Sequence, residues 1–290
     1  MVNENVTPST LNIVQFTVGH ADINAFCDGV LTAPVASLYR RGSDQPTPEA
    51  FADAPTQLSI NAFLVKADGK LVLIDTGSGQ LFGPEHGKLS SYLAQIGHSA
   101  DEIDDIILTH IHSDHSGGLI SDGAPVFKKA TLHIGKTEAD FWLSPGAADV
   151  PNASDRLKGQ IGRAHTCIDP YQQQGQVQIF EDEGAILPGF SASLRAGHTP
   201  GHVSIRFESN GQVITFVGDI VHGDKLQFAD PSITIDFDYD QKTAAISRAS
   251  AFKQAAEEGY LIAAAHIPFP GVGYVRNEGG HYRFEALKSV

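Results

Sequence analysis

Three imidazoles and a carboxylate fall within six residues in the run Thr109-His110-Ile111-His112-Ser113-Asp114-His115. A set of neutral imidazole and carboxylate without thiolate suits zinc, iron, cobalt or manganese. Side chains two apart on an extended segment point the same way, so His110 and His112 can grip one ion. Asp114 and His115, on the turn beyond them, point elsewhere and can serve a second. Single histidines pack into cores or surfaces routinely; this density calls for metal.

Six residues cannot complete two coordination spheres, so more His, Asp or Glu ligands are expected where other strands end. Three places fit: Gly197-His198-Thr199-Pro200-Gly201-His202 after the strand near 191–195, Gly218-Asp219 after 213–217, and Ala265-His266 after 260–262.

The elements that must carry these groups are legible in the periodicity. Residues 11–18 and 21–27 read as strands joined across Gly19-His20, and Asp28-Gly29 is a turn signal. Residues 60–66 and 70–74 form a hairpin on Ala67-Asp68-Gly69, ending in Asp75-Thr76-Gly77-Ser78-Gly79. The β-branched run 103–109 reads as a buried strand that stops at His110. Further strands are expected at 191–194, 203–208, 213–217 and 260–265, with Asn210-Gly211 as a hairpin turn.

Helices are expected at 89–96, 137–143 and 240–258. The last carries Ile246, Ala249, Phe252 and Ala256 as its apolar stripe, with Asp238 or Asp240 as cap and Gly259 as stop. Residues 40–56 read as a surface excursion. Residues 136–190 mix one helix with irregular Pro/Gly/Gln-rich sequence and read as an insertion covering the active site. No repeat or linker appears, so residues 1–290 are expected to form a single domain.

The chain has 290 residues, 41% hydrophobic and 19% charged, and a formal charge of −14. Nothing in that composition prevents a sizeable core. The acidic balance argues against binding nucleic acid by phosphate neutralisation and against anionic membranes. No run approaches the roughly 20 apolar residues of a membrane span. The opening Met1-Val2-Asn3-Glu4-Asn5 has neither a basic nor an apolar leader region, so no signal peptide is expected in this chain and the compartment stays open. Cys27 and Cys167 lie in no metal-binding spacing and are expected as buried free thiols.

The combination of H-x-H-x-D-H, Gly-His-Thr-Pro-Gly-His, Gly-Asp and a late Ala-His resembles the metallo-β-lactamase superfamily of binuclear hydrolases over residues 57–266. The resemblance implies an α+β fold, an αββα sandwich of two mixed β-sheets face to face with helices outside. It implies two divalent ions, zinc first, with iron, cobalt or manganese as alternatives. His110, His112 and His198 would hold one ion, Asp114, His115 and His266 the other, and Asp219 would bridge both. Asp75 would orient a ligand imidazole, and His202 would be structural.

Within the superfamily, residues 216–232 and 259–271 are similar to the methyl parathion hydrolases and their lactonase and arylesterase relatives of the dihydrocoumarin hydrolase type. Phe82 and Trp142 match aromatic residues at the mouth of that subfamily's pocket. The chain departs from the parathion hydrolases at His222, where they carry an apolar residue, and at Ile235 and Phe237, which are bulkier than their counterparts. A narrow pocket with an imidazole suits a planar cyclic ester better than a tetrahedral phosphotriester.

The expected function is therefore hydrolysis of lactones and aryl esters by a hydroxide shared between two ions, with weak hydrolysis of phosphotriesters. Asp219, Asp114 and His222 would serve the reaction. Substrates would be neutral small molecules, since an acidic chain repels anions. The subfamily implies a homodimer. The alternatives are a dedicated phosphotriesterase and a metal-binding interaction protein without catalysis.

Overall fold

Alternating apolar residues in the first quarter of the chain build one continuous antiparallel ribbon. Ile13–Val18 pairs with Ala21–Thr32, which pairs in turn with Gln57–Ala67 and so brings in Lys70–Ile74. The structure, a computed structural model, describes residues 7–10, 12–41, 48–145, 147 and 154–287. Residues 1–6, Leu11, part of the excursion at 40–56 and part of the segment 136–190 lie outside the described residues.

The ribbon continues into an eight-stranded mixed sheet by parallel addition of Asp105–Ile107, Thr131–Gly135 and Val177–Phe180. A second, seven-stranded sheet runs in the order Gly184–Leu187, Phe190–Leu194, Val203–Ser209, Gln212–His222, Leu261–His266, Val272–Asn277 and Tyr282–Ala286. Only its central pair, Gln212–His222 with Leu261–His266, is parallel.

Alternating side-chain direction gives each sheet an inner apolar face, and the central strands are buried on their outer face as well. Phe16, Ile23, Phe63, Val65 and Ile74 of the first meet Val203, Ile205, Phe207, Ile214 and Phe216 of the second. Each such side chain contributes roughly 1.5–3 kcal/mol by leaving water. Helices Leu89–Gln95, Lys136–Trp142 and Asp155–Gln173 cover the outer face of the first sheet, and Gln241–Glu258 covers the second. This is the αββα sandwich of the metallo-β-lactamase fold.

Two sequence expectations need correction. Residues 155–173 form a 19-residue helix where irregular structure was expected. Gly159, Gly162 and Pro170 hide it, but Ile161, Ala164, Ile168 and Tyr171 keep helical spacing and are all buried, so packing overrides propensity. Helix Gln241–Glu258 is capped by Asp240, which accepts from Thr243 N, and stopped by Gly259 in the left-handed region. Its buried face, however, is Ala244, Arg248, Ala251, Phe252 and Ala255; Ile246 is 62% exposed. The buried arginine breaks the apolar pattern from which the face was read.

Cys27 and Cys167 are free and buried. Among the described residues no helix is long and apolar enough to cross a membrane.

Candidate metal centre

The ligand candidates reach one place because strands of both sheets end there. His110, His112, Asp114 and His115 follow Asp105–Ile107, the last two on the short helix Ser113–Ser116. His198 lies in the loop after Phe190–Leu194, and His266 closes Leu261–His266. Asp219 and His222 lie within Gln212–His222, where the pairing with Leu261–His266 slips on both sides of Gly218. Such irregularities break the strand alternation. Asp219 and His222 consequently both face the cluster.

Gly218 is required at this slip. Its φ is +52°, and a Cβ there would lie 2.6 Å from His202 Nε2 and 2.8 Å from Thr109 Oγ1. Gly218→Ala is expected to cost about 1–3 kcal/mol of stability, read as a lowered denaturation midpoint. An unchanged midpoint would show that the backbone can relax without penalty.

The structure brings the seven ligand candidates together. His110, His112, His198 and Asp219 form one group and Asp114, His115 and His266 another, with ligand atoms in each within 4.8 Å of one another; a third grouping, Asp219, His222 and His266, overlaps both. Asp219 stands between them: Oδ1 is 3.0 Å from His115 Nε2, and Oδ2 is 3.0 Å from His198 Nε2 and 3.2 Å from His266 Nε2. His110 Nε2, His115 Nε2 and Asp219 Oδ1 are buried without a hydrogen-bond partner. Orphaned buried groups of this kind are costly, and two ions, one at each group, would satisfy all three. The donor set therefore fits divalent metal.

In four of the five imidazoles the other nitrogen has an oxygen partner that fixes its tautomer. His115 Nδ1 is 2.8 Å from Asp75 Oδ2, His198 Nδ1 is 3.0 Å from Asp238 Oδ1, and His266 Nδ1 is 2.7 Å from the Ser59 carbonyl. His110 Nδ1 meets Thr109 Oγ1, which donates to Asp75. These four present Nε2 to the cluster. His112 is reversed: its Nε2 is 3.3 Å from the Gln160 side-chain amide, and its Nδ1 faces His198 Nε2 at 3.0 Å. Asp75 sits at φ +58°, a conformation L-residues avoid, so the turn is held in a strained form beside the cluster.

His202 is buried and accepts from Asp219 N through Nε2, outside both ligand groups. Burial, reinforced by His198, lowers its pKa to about 3, as an acceptor imidazole requires. Three further positions hold the site together that residue type and spacing do not mark as part of it. Asp238 holds His198 and is backed at 3.5 Å by buried Arg248. Gln160 reaches His112 from the unexpected helix, and Glu138 joins the segments on either side of the site. Asp238 had a signal, a carboxylate just ahead of a helix, but was weighed only as its cap.

Burial opposes charge on every imidazole here, and the carboxylates decide where it is overcome. Asp219 with Asp238 raises His198 to about 9, and Asp219 with Asp114 raises His266 to about 10. Asp219 and Asp75 likewise lift His115 well above the usual range. Burial and neighbouring imidazoles drive His110 and His112 well below it. Burial pushes Asp219 up, but His266, His115 and His198 hold it well below ordinary carboxylates. The cluster is a carboxylate centre that demands positive charge.

Two adjoining cavities of about 170 Å³ each open over the cluster. They share His112, Arg156, Gln160, His198 and Phe237; Trp142 lines one and Phe82 the other. The turn bearing Phe82 is pinned by buried Asp28, which accepts from Ser78 N, Gly87 N and Leu89 N. Neither His222 nor Ile235 lines these cavities. Ile235 packs with Val35, Tyr39, Phe51 and Leu58 behind the wall. His222 is 1% exposed, stacked on His266 at 5.0 Å with its Nε2 3.3 Å from Asp219 Oδ2, and both of its ring nitrogens lack a hydrogen-bond partner.

The model of the metallo-beta-lactamase superfamily matches residues 55–266. Among solved structures, the hydrolase AbOPH of the beta lactamase superfamily superposes with a TM-score of 0.89 at 33% identity, covering 97% of this chain and 99% of its own. AidC, a dizinc quorum-quenching lactonase, superposes with a TM-score of 0.85 at 26% identity over 96% and 98%. An N-acyl homoserine lactonase of Bacillus thuringiensis is 25% identical over 178 residues, 54% of this chain and 62% of that protein. The chain belongs to the metallo-beta-lactamase superfamily and is one of its metal-dependent hydrolases.

Proposed function

We propose that the chain hydrolyses lactones and aryl esters of the dihydrocoumarin type, with phosphotriesters as slow side substrates. The observation that carries this reading is the seven-ligand cluster beneath two adjoining cavities, one walled by Trp142 and Phe237 and the other by Phe82 and Phe237. A flat, uncharged ring fits between such walls, and two lactonases are among the similar proteins. In this reading His110, His112 and His198 hold one ion, Asp114, His115 and His266 the other, and Asp219 spans both.

Two divalent ions, zinc first, would polarise the ester carbonyl and lower the pKa of water from 15.7 toward about 7. The chain's own residues do the rest. Asp219 orients the attacking water through its carboxylate. Asp75, Asp238 and Gln160 keep the imidazoles aimed. His222, behind Phe237, is within reach of Asp219 and can steady that carboxylate or donate to the leaving oxygen after a shift of Phe237. The aromatic walls exclude water and align the ring.

Metal-loaded protein is expected to turn over dihydrocoumarin at least about 10²-fold faster in kcat/KM than methyl parathion, a difference of ~2.7 kcal/mol in transition-state binding. The reverse ranking in a parallel assay would reassign the chain to dedicated phosphotriester hydrolysis.

A further inference from the structure

Glu138, on helix Lys136–Trp142, is 1% exposed and belongs to neither ligand group. Its carboxylate is fully occupied by donors. Oε1 accepts from Ile111 N at 2.9 Å and from Trp142 Nε1 at 2.7 Å. Oε2 accepts from Thr199 Oγ1 at 2.6 Å and from Gly201 N at 3.1 Å. Ile111 lies between His110 and His112, whereas Thr199 and Gly201 follow His198. One carboxylate thus ties together segments from the two sheets that deliver His112 and His198, whose ring nitrogens face each other at 3.0 Å.

The docking is close. A Cβ on Gly201 would lie 2.1 Å from Glu138 N and 2.5 Å from its Cα, so only glycine lets this loop settle on the helix. The indole that donates to Oε1 also stands edge-on to the His112 ring, with centroids 5.5 Å apart. Burial raises the Glu138 carboxyl above its ordinary range, and the four donors pull it only part of the way back. No acceptor faces either oxygen among these partners, so the arrangement suits the ionised form. An amide in its place would turn an NH2 toward two donors.

We propose that Glu138 is a positioning residue that sets the approach of His112 and His198 to a shared ion and holds Trp142 against them. This rests on the reading that His110, His112, His198 and Asp219 hold one of two ions. Loss of a group that orients ligands typically weakens metal binding by 10–100-fold. A group that served packing alone would leave ion affinity unchanged.

Trp142 is the single tryptophan of the chain, so its emission reports on this corner alone. The test titrates Zn²⁺ into metal-free wild type, Glu138→Gln and Thr199→Val, following Trp142 fluorescence and bound zinc per chain. In wild type, two ions bind, and emission changes as the one beside His112 fills. In Glu138→Gln that change should move to about 10–100-fold higher zinc, with the second ion's affinity unaltered. Thr199→Val keeps the charge and removes one donor, so a smaller shift in the same direction is expected.

Superimposable titrations of folded Glu138→Gln and wild type would overturn the proposal while leaving the two-ion reading intact. Should Glu138→Gln fail to fold, a wild-type titration from Thr199→Val would overturn it equally. Wild type that takes up no zinc would overturn both.

Discussion

Asp219→Asn is expected to lower lactone hydrolysis by at least about 10³-fold while the chain remains folded. Asparagine has nearly the same shape, so the apolar surroundings of the strand are undisturbed and the Asp219 N to His202 bond survives. What disappears is the negative charge at the one position within 3.3 Å of His115, His198, His222 and His266. An amide also presents an NH2 to imidazoles that already offer nitrogen, and it cannot span two ions. Zinc per chain should fall below two in the same preparations. Full activity with two ions retained would remove Asp219 from the reaction.

Exhaustive chelation is the second change with a large expected effect. Activity should vanish and return on adding divalent metal, and the thermal midpoint should drop by about 5–10 °C. A ligand at about 1,000-fold excess over its Kd adds ~4 kcal/mol of stability, which for a chain of this length is about 7 °C in Tm. The metal-free cluster keeps its carboxylates balanced by protons, with His198 at about 9 and His266 at about 10. Below those values these imidazoles are protonated without metal, and an ion must displace the protons to bind. Apparent affinity should therefore rise with pH by up to tenfold per unit for each proton displaced. Weakly buffered solution should acidify as zinc is added. A pH-independent affinity with no proton release would contradict the assignment of these imidazoles as ligands.

The centre was unusually open to sequence reading because its chemistry is concentrated. His110, His112, Asp114 and His115 are close in sequence, and His198, Asp219 and His266 each come shortly after an apolar run, so residue type and position coincided. The groups that hold them were not open in that way. Glu138, Asp238, Gln160 and Arg248 are polar residues in helices or loops, a class that is ordinarily solvated. Only the approach of elements from far along the chain makes them buried partners: Glu138 meets Thr199 at a separation of 61 residues, and Gln160 meets His112 at 48. Helix Asp155–Gln173 was hidden for a related reason, since its glycines and Pro170 argue locally against the helix that the sheet surface stabilises.

The sequence by itself determined the class of chemistry, because ligand identity is a property of side chains and the ends of continuous apolar runs are legible in the sequence. The two-sheet architecture came from the resemblance to the metallo-β-lactamase superfamily, since the strand pattern alone names strands without saying which of them share a sheet. Which nitrogen each imidazole presents, and whether Phe82, Trp142, His222 and Ile235 meet the cavity or lie behind it, only the tertiary structure decided. Those properties depend on a hydrogen-bond partner or a neighbour brought from elsewhere in the chain. No local pattern carries the distance between two strands that meet only after folding.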